Sequence, residues 1–233
     1  MGAQWKHAVR QASANAKGRI FTKLAKDIII AARAGADIAM NARLRAAVEA
    51  AKKQSMPRDS IERAIKKGAG LLDETVHYEH VTYEGFGPHR VPVIVECLTD
   101  NKNRTATSIR QLFRKGQLAN SGAVSWDFQH VGMIDATAPE GADAEDTAIE
   151  AGAQDVEGDG EGGFHFYTEP TDLDAVSKAL SGQGWTVASM KIGWRAKNPM
   201  KLEDDAARTE VVQFLAEIDA DDDVQHIYVA LQG

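Results

Sequence analysis

The sequence predicts an α+β multidomain protein, with an N-terminal three-helix bundle plus two α+β domains, the third inserted into the second. Three observations predict it. Apolar residues recur at helical spacing through the first 75 residues. From Val76 onward, strand-like runs alternate with helical ones in the order β-β-α-β, β-α-β-α-β and a closing α-β. Charge is also segregated, with local nets of +8 over residues 1–75, +1 over 76–130 and -16 over 131–233, within a chain of net charge -7. A lone closing helix and strand bury little by themselves, so they are expected to return and complete the β-β-α-β sheet. The expected domains are a basic helical bundle at 1–75, a discontinuous α+β domain at 76–130 plus 203–233, and an inserted acidic α+β domain at 131–202.

In the bundle, Ile20, Phe21, Leu24, Ile28, Ile29 and Ala32 lie three and four apart between Gly18 and Arg33, which is the pattern of an amphipathic helix. Gly35 is its expected stop, and Asn41 is the expected cap of a second helix running through Ala51. Pro57 fits the first turn of a third helix that buries Ile61, Ala64 and Ile65 and ends at Lys66, Lys67 and Gly68, where the helix dipole favours cations. The alanine-rich, basic stretch from Trp5 to Ala16 is read as a helix or arm that orders on binding.

Val76 to Tyr83 and Val91 to Leu98 read as strands around a turn at Gly85, Gly87 and Pro88. Arg104 to Lys115 reads as a helix with Ile109, Leu112 and Phe113 inward, followed by a strand at Ala123 to Phe128. The inserted segment reads as strand Val131 to Asp135, helix Asp143 to Ala153, strand Phe164 to Thr168, helix Thr171 to Ser181 and strand Trp185 to Trp194. Gly152 to Gly163 reads as an acidic, glycine-rich loop; Asp204 to Ile218 is the closing helix and Val224 to Leu231 the closing strand.

A chain that is 43% hydrophobic and 26% charged has the composition of a folded globular protein. The absence of an apolar run near 18 residues, and of a signal-peptide core, points to a soluble cytoplasmic protein. The single cysteine, Cys97, sits in an apolar run and is expected to be buried.

No recognised catalytic motif is present, so the chain is expected not to be an enzyme. A site assembled from Asp100, Arg104 and Tyr83 is the catalytic alternative, and a polar pocket would be its mark. Gly158 to Gly163 matches GxGxxG formally, but Asp159 and Glu161 would repel a pyrophosphate and no apolar strand precedes it. Asp155, Glu157 and Asp159 begin like a calcium loop whose twelfth position is Phe166, where a bidentate Glu is needed. His77 and His80 would point to opposite faces of a strand. No metal and no cofactor is therefore expected.

A basic module on an acidic remainder predicts that one end meets a polyanion. The expected contacts are Lys6, Arg10, Lys17, Arg19, Lys23, Arg43, Arg45, Lys52, Lys53, Arg58, Arg63, Lys66 and Lys67 on the bundle. Lys102, Asn103 and Arg104 join them where a strand hands over to a helix, with Asp100, Asn101 or Asn103 available to cap that helix.

Five stretches carry a resemblance. They are Lys17-Gly-Arg-Ile-Phe-Thr-Lys-Leu24, Asn41-Ala-Arg-Leu-Arg45, Met56-Pro-Arg-Asp-Ser-Ile-Glu-Arg-Ala-Ile-Lys-Lys-Gly68, Tyr83-Glu-Gly-Phe-Gly-Pro88 and Val95-Glu-Cys-Leu-Thr-Asp-Asn-Lys-Asn-Arg-Thr105. In them the first half of the chain resembles the YebC/PmpR family of bacterial proteins, whose mitochondrial relatives include translational activators. Two departures stand out: Gly2-Ala-Gln-Trp5 replaces the usual Gly-His-Ser-Lys-Trp opening, and His89-Arg90-Val91-Pro92 stands where glycines are typical. The resemblance implies three domains and a regulator of gene expression, with DNA-binding transcriptional regulation first and a ribosome- or rRNA-associated translation factor that relieves stalling as the alternative. The expected partner is DNA or rRNA, with the ribosome possible through the second reading; a membrane partner or an obligate small molecule is not expected.

Overall fold

The computed structural model describes residues 14–72, 77–160 and 162–232. The described chain separates into two compact units, Trp126–Pro199 and the residues on either side of it.

The unit that flanks Trp126–Pro199 begins with α1 (Ala14–Ala32), α2 (Ala42–Lys53) and α3 (Arg58–Gly68). α1 starts ahead of the expected Gly18, as the helix propensity of its alanine-rich entry favours; the arm expected from Trp5 lies largely outside the described residues. Ile28, Ile29, Leu44, Val48, Met56 and Ile61 form the bundle's core. α1 and α3 approach so closely that a Cβ on Gly68 would sit 2.2 Å from the Ile29 carbonyl oxygen, which explains why that helix ends on glycine. Asn41 caps α2 by accepting from the Leu44 amide at 3.0 Å, and Pro57 sits just before α3 rather than inside its first turn.

β1 (Glu79–Phe86), β2 (Pro92–Thr99), α4 (Lys102–Leu112) and β3 (Gln117–Ala119) follow. β1 runs through Gly85 instead of turning there. Gly85 pairs with Val93 on one side and Leu118 on the other, and a Cβ would meet the Phe113 ring at 2.6 Å. Of the strand expected at Ala123 to Phe128 only Phe128 is extended, as the start of the next strand: Ala123 and Val124 are bends and Ser125–Asp127 is a short 3-10 segment.

β4 (Phe128–Thr137), α5 (Ala144–Ala151), β5 (Asp155–Gly158), β6 (Gly163–Thr168), α6 (Leu173–Gly182) and β7 (Thr186–Ala196) build an antiparallel sheet of order β5-β6-β4-β7. Ile134, Phe166, Val176, Leu180 and Trp185 form its core, with Trp185 edge-on to Phe164 and Phe166. The stretch read as an acidic loop at Gly152 to Gly163 is a hairpin instead, in which Val156 pairs with Phe166. Its acidic residues are accommodated because Asp155 and Glu157 both ion-pair with Arg195. The GxGxxG match therefore begins at the last residue of β5, Gly158, and ends at the first of β6, Gly163.

The chain then returns as α7 (Asp205–Asp219) and β8 (Val224–Val229), with β8 antiparallel to β2 in a sheet of order β3-β1-β2-β8. Val93, Val95, Cys97, Ile109, Phe113, Val211 and Phe214 fill the space between this sheet and its helices. Burial pushes the Cys97 thiol up to about 12, so it packs as an apolar group. Among the described residues no helix is long and apolar enough to cross a membrane.

Candidate nucleic-acid interface

The bundle cations fall into two groups. Arg43 and Lys52 on α2, and Arg63 and Lys66 on α3, are exposed and have no carboxylate partner among the described residues. Lys52 and Lys53 stand in the last turn of α2 and Lys66 and Lys67 in the last turn of α3, where the helix dipole stabilises them. Arg45 is exposed and donates to the Ala39 carbonyl at 3.4 Å. Lys17 is exposed, 6.0 Å over the Phe21 ring, and Arg19 is half-buried.

The second group is engaged by carboxylates. Arg58 pairs with Glu62 at 2.8 Å within α3, and Lys102 with Glu79 at 2.5 Å. Lys23 is half-buried and grips both the carboxylate and the carbonyl of Asp219. Arg104 reaches Asp100 at 2.9 Å and Asp223 at 2.8 Å. Asn103 is exposed; the cap of α4 is its neighbour Asn101, which accepts from the Arg104 amide. Lys6 and Arg10 lie outside the described residues.

Asp223 gathers Arg104 and a further cation of α1, Lys26, and is 6% exposed. Lys26 donates to its Oδ1 at 2.8 Å and to the Leu98 and Asp222 carbonyls at 2.9 and 2.7 Å, while Thr105 donates to its Oδ2 at 2.8 Å and the Thr99 hydroxyl lies 3.2 Å away. Burial alone would raise the Asp223 pKa. The hydrogen bonds from Lys26, Arg104 and Thr105 outweigh it and bring the carboxyl down to about 2. Lys23 and Lys26 thus tie α1 to the end of α7 and the acidic turn that follows it, Asp219 to Asp223.

A cavity of about 380 Å³ opens here, lined by Lys26, Tyr78, Asp100, Arg104, Ser108 and Asp221 to Asp223. It contains Asp100 and Arg104 of the catalytic alternative, with Tyr78 in place of Tyr83. Asp223, the most buried carboxylate lining it, is held by Lys26, Arg104 and Thr105, so on this side of the cavity the residues form an ion-pair joint. Among the described residues no cluster of three or more histidine, cysteine or acidic side chains is placed to hold a metal.

Glu84 is a feature that sequence reasoning passed over. It is 6% exposed in β1, and its carboxylate accepts from the backbone amides of Gly122, Val124 and Ser125 at 2.7, 2.9 and 2.8 Å. Burial raises its pKa, and the three amides more than reverse that, leaving it below the ordinary value.

Comparison with known proteins extends over the whole arrangement. The model of the TACO1/YebC protein N-terminal domain matches residues 2–71, and that of the TACO1/YebC second and third domain matches residues 78–231. The chain belongs to the TACO1/YebC family. A relative from Pseudomonas syringae pv. tomato, named "Probable transcriptional regulatory protein", is 62% identical with both chains covered completely. Another, from Bdellovibrio bacteriovorus and named "Probable transcriptional regulatory protein Bd1964", is 49% identical across 99% of this chain and 100% of its own. Among solved structures, the conserved hypothetical protein Aq1575 from Aquifex aeolicus is 39% identical and superposes with a TM-score of 0.82, covering 92% of this chain and 90% of that one. The mixed helix-and-sheet fold is that of the family.

Proposed function

We propose that this family member is a non-catalytic, nucleic-acid-binding regulator of gene expression, acting as a DNA-binding transcriptional regulator through its helical bundle. The observation that carries the reading is the exposed set Arg43, Lys52, Arg63 and Lys66, which keeps its charge unneutralised by carboxylates among the described residues of a chain whose net charge is -7. Unpaired cations on an otherwise acidic protein have a polyanion as their natural counterpart. The relatives' names support transcription as the process.

One observation favours a second reading, in which the bundle docks on structured RNA of the ribosome. α3 is the second helix of the α2–α3 pair, and its first turns expose Asp59 and Glu62, with Arg58 held by Glu62. A helix that reads the major groove uses donors at its N-terminal end, so α3 is better suited to phosphates than to base edges.

The test is binding to duplex DNA and to a stem–loop RNA across a salt series, with the parent chain and with Arg43, Lys52, Arg63 and Lys66 all changed to Glu. Each phosphate contact contributes about 0.9 to the slope of log affinity against log salt on duplex DNA, so the variant is expected to bind far more weakly with a slope flatter by roughly three to four. The fold should survive, because exposed charges contribute only about 0.2–1 kcal/mol each. Unchanged binding by the folded variant contradicts the reading, and preference for the RNA over the duplex selects the second.

A further inference from the structure

The connection between α1 and α2 puts two apolar side chains in solvent beside cations. Met40 is 85% exposed and Ile38 37% exposed, and Arg43 and Arg45 follow within the first turn of α2, both exposed. A single exposed apolar residue needs no explanation. This one stands on a built loop. Asn41 donates to the carbonyls of Ala31 and Gly35 at 2.8 Å each while capping α2 with its oxygen. Asp37 accepts from the Ala39 amide at 2.8 Å through its side chain and from the Asn41 amide at 2.9 Å through its carbonyl. Gly35 supplies a φ of +143° that other residues rarely adopt. These bonds fix the shape of the tip that carries Met40 in solvent.

We propose that Met40, backed by Ile38, is a wedge that packs against the bases of the bound nucleic acid while Arg43 and Arg45 hold the flanking phosphates. The inference rests on the nucleic-acid reading of the bundle and adds a contact that is not electrostatic. A rigid apolar wedge flanked by arginines is what opening a base step requires, since one or two inserted side chains suffice there and the cations hold the backbone on either side. A membrane would need a broad apolar face, and two side chains on a loop supply none. A protein pocket for methionine would gain little from the two adjacent arginines, whereas phosphates complement them.

The full chain is titrated with a duplex DNA and with a stem–loop RNA, each carrying 2-aminopurine at successive positions to report unstacking. The parent is compared with Met40→Gln, a substitution at a solvent-exposed site that keeps size and charge, and with the four-cation variant above. The parent is expected to raise the fluorescence at a defined step. Met40→Gln is expected to lose that signal and bind about tenfold more weakly, as withdrawing a methionine from apolar contact implies, with its salt slope unchanged. Parent-like affinity and fluorescence in Met40→Gln, alongside lost binding in the four-cation variant, overturn the wedge and leave the basic face standing. No binding by the parent to either probe overturns both. A photo-crosslinker at position 40 in cells that reacts with protein or lipid instead of nucleic acid also overturns the wedge.

Discussion

Asp223→Ala is expected to lower the unfolding free energy by about 3–5 kcal/mol, because it strands the buried Lys26 ammonium, whose side chain is 7% exposed, without its counter-charge. The same change frees Arg104 from one of its two carboxylates. Urea denaturation measures the loss, and a cycle with Lys26→Met checks its origin: removing both members should cost clearly less than the two single changes together, since an apolar pair no longer buries an unmatched charge. Equal and additive losses would contradict the ion-pair account. The pH dependence has a definite sign. The folded carboxyl titrates at about 2, below its ordinary 3.8. Its contribution of about 2 kcal/mol is therefore complete above the ordinary value, declines as the pH drops below 3.8, and is lost as the pH passes through about 2.

Glu84→Gln is the second large effect, expected to cost about 2–3 kcal/mol. A carboxylate presents only acceptors to the amides of Gly122, Val124 and Ser125, whereas the isosteric amide turns an NH2 group toward at least one of these donors and leaves it without its acceptor. Hydrogen exchange should report the change locally, with faster exchange at Gly122, Val124 and Ser125 than in the bundle. Protection identical to the parent at those three amides would show that Glu84 does not hold the loop. Because its folded pKa is lowered, this clamp too is strongest above the ordinary glutamate value and weakens in acid.

Both anchors explain why parts of the site were invisible in the sequence while much of the fold was legible. Helices such as α1 and α2 announce themselves through residues three and four apart, and Asn41 through the local chemistry of a cap, because these signals act within one turn of chain; at α4 the same chemistry left Asp100, Asn101 and Asn103 as candidates, of which the fold uses Asn101. The β5–β6 hairpin was hidden because Asp155 and Glu157 are depleted in strands; what makes them tolerable is Arg195, some 40 residues away. Lys26 and Asp223 lie 197 residues apart, and no local pattern distinguishes the paired Lys23 from the exposed Lys52 or Lys66. Composition could therefore indicate a basic bundle, but only the fold sorts its cations into those that fasten α1 to the acidic turn and those available to a ligand. Glu84 carries no pattern at all: a single glutamate in a strand looks like a solvated residue until its three amide partners are seen. Met40 and Ile38 were similarly silent, since an apolar residue in a loop reads as neither core nor site until its exposure is measured.

The most direct test of the central claim is to crosslink and sequence the nucleic acid held by the full chain in its own cells, with the Arg43, Lys52, Arg63 and Lys66 to Glu variant as control. The account predicts recovery of defined nucleic acid by the parent and its loss in the variant, with promoter DNA supporting the transcriptional reading and a single rRNA site supporting the ribosomal one. Equal recovery by both, or none above background from the parent, would contradict the claim that the exposed bundle cations are a nucleic-acid interface.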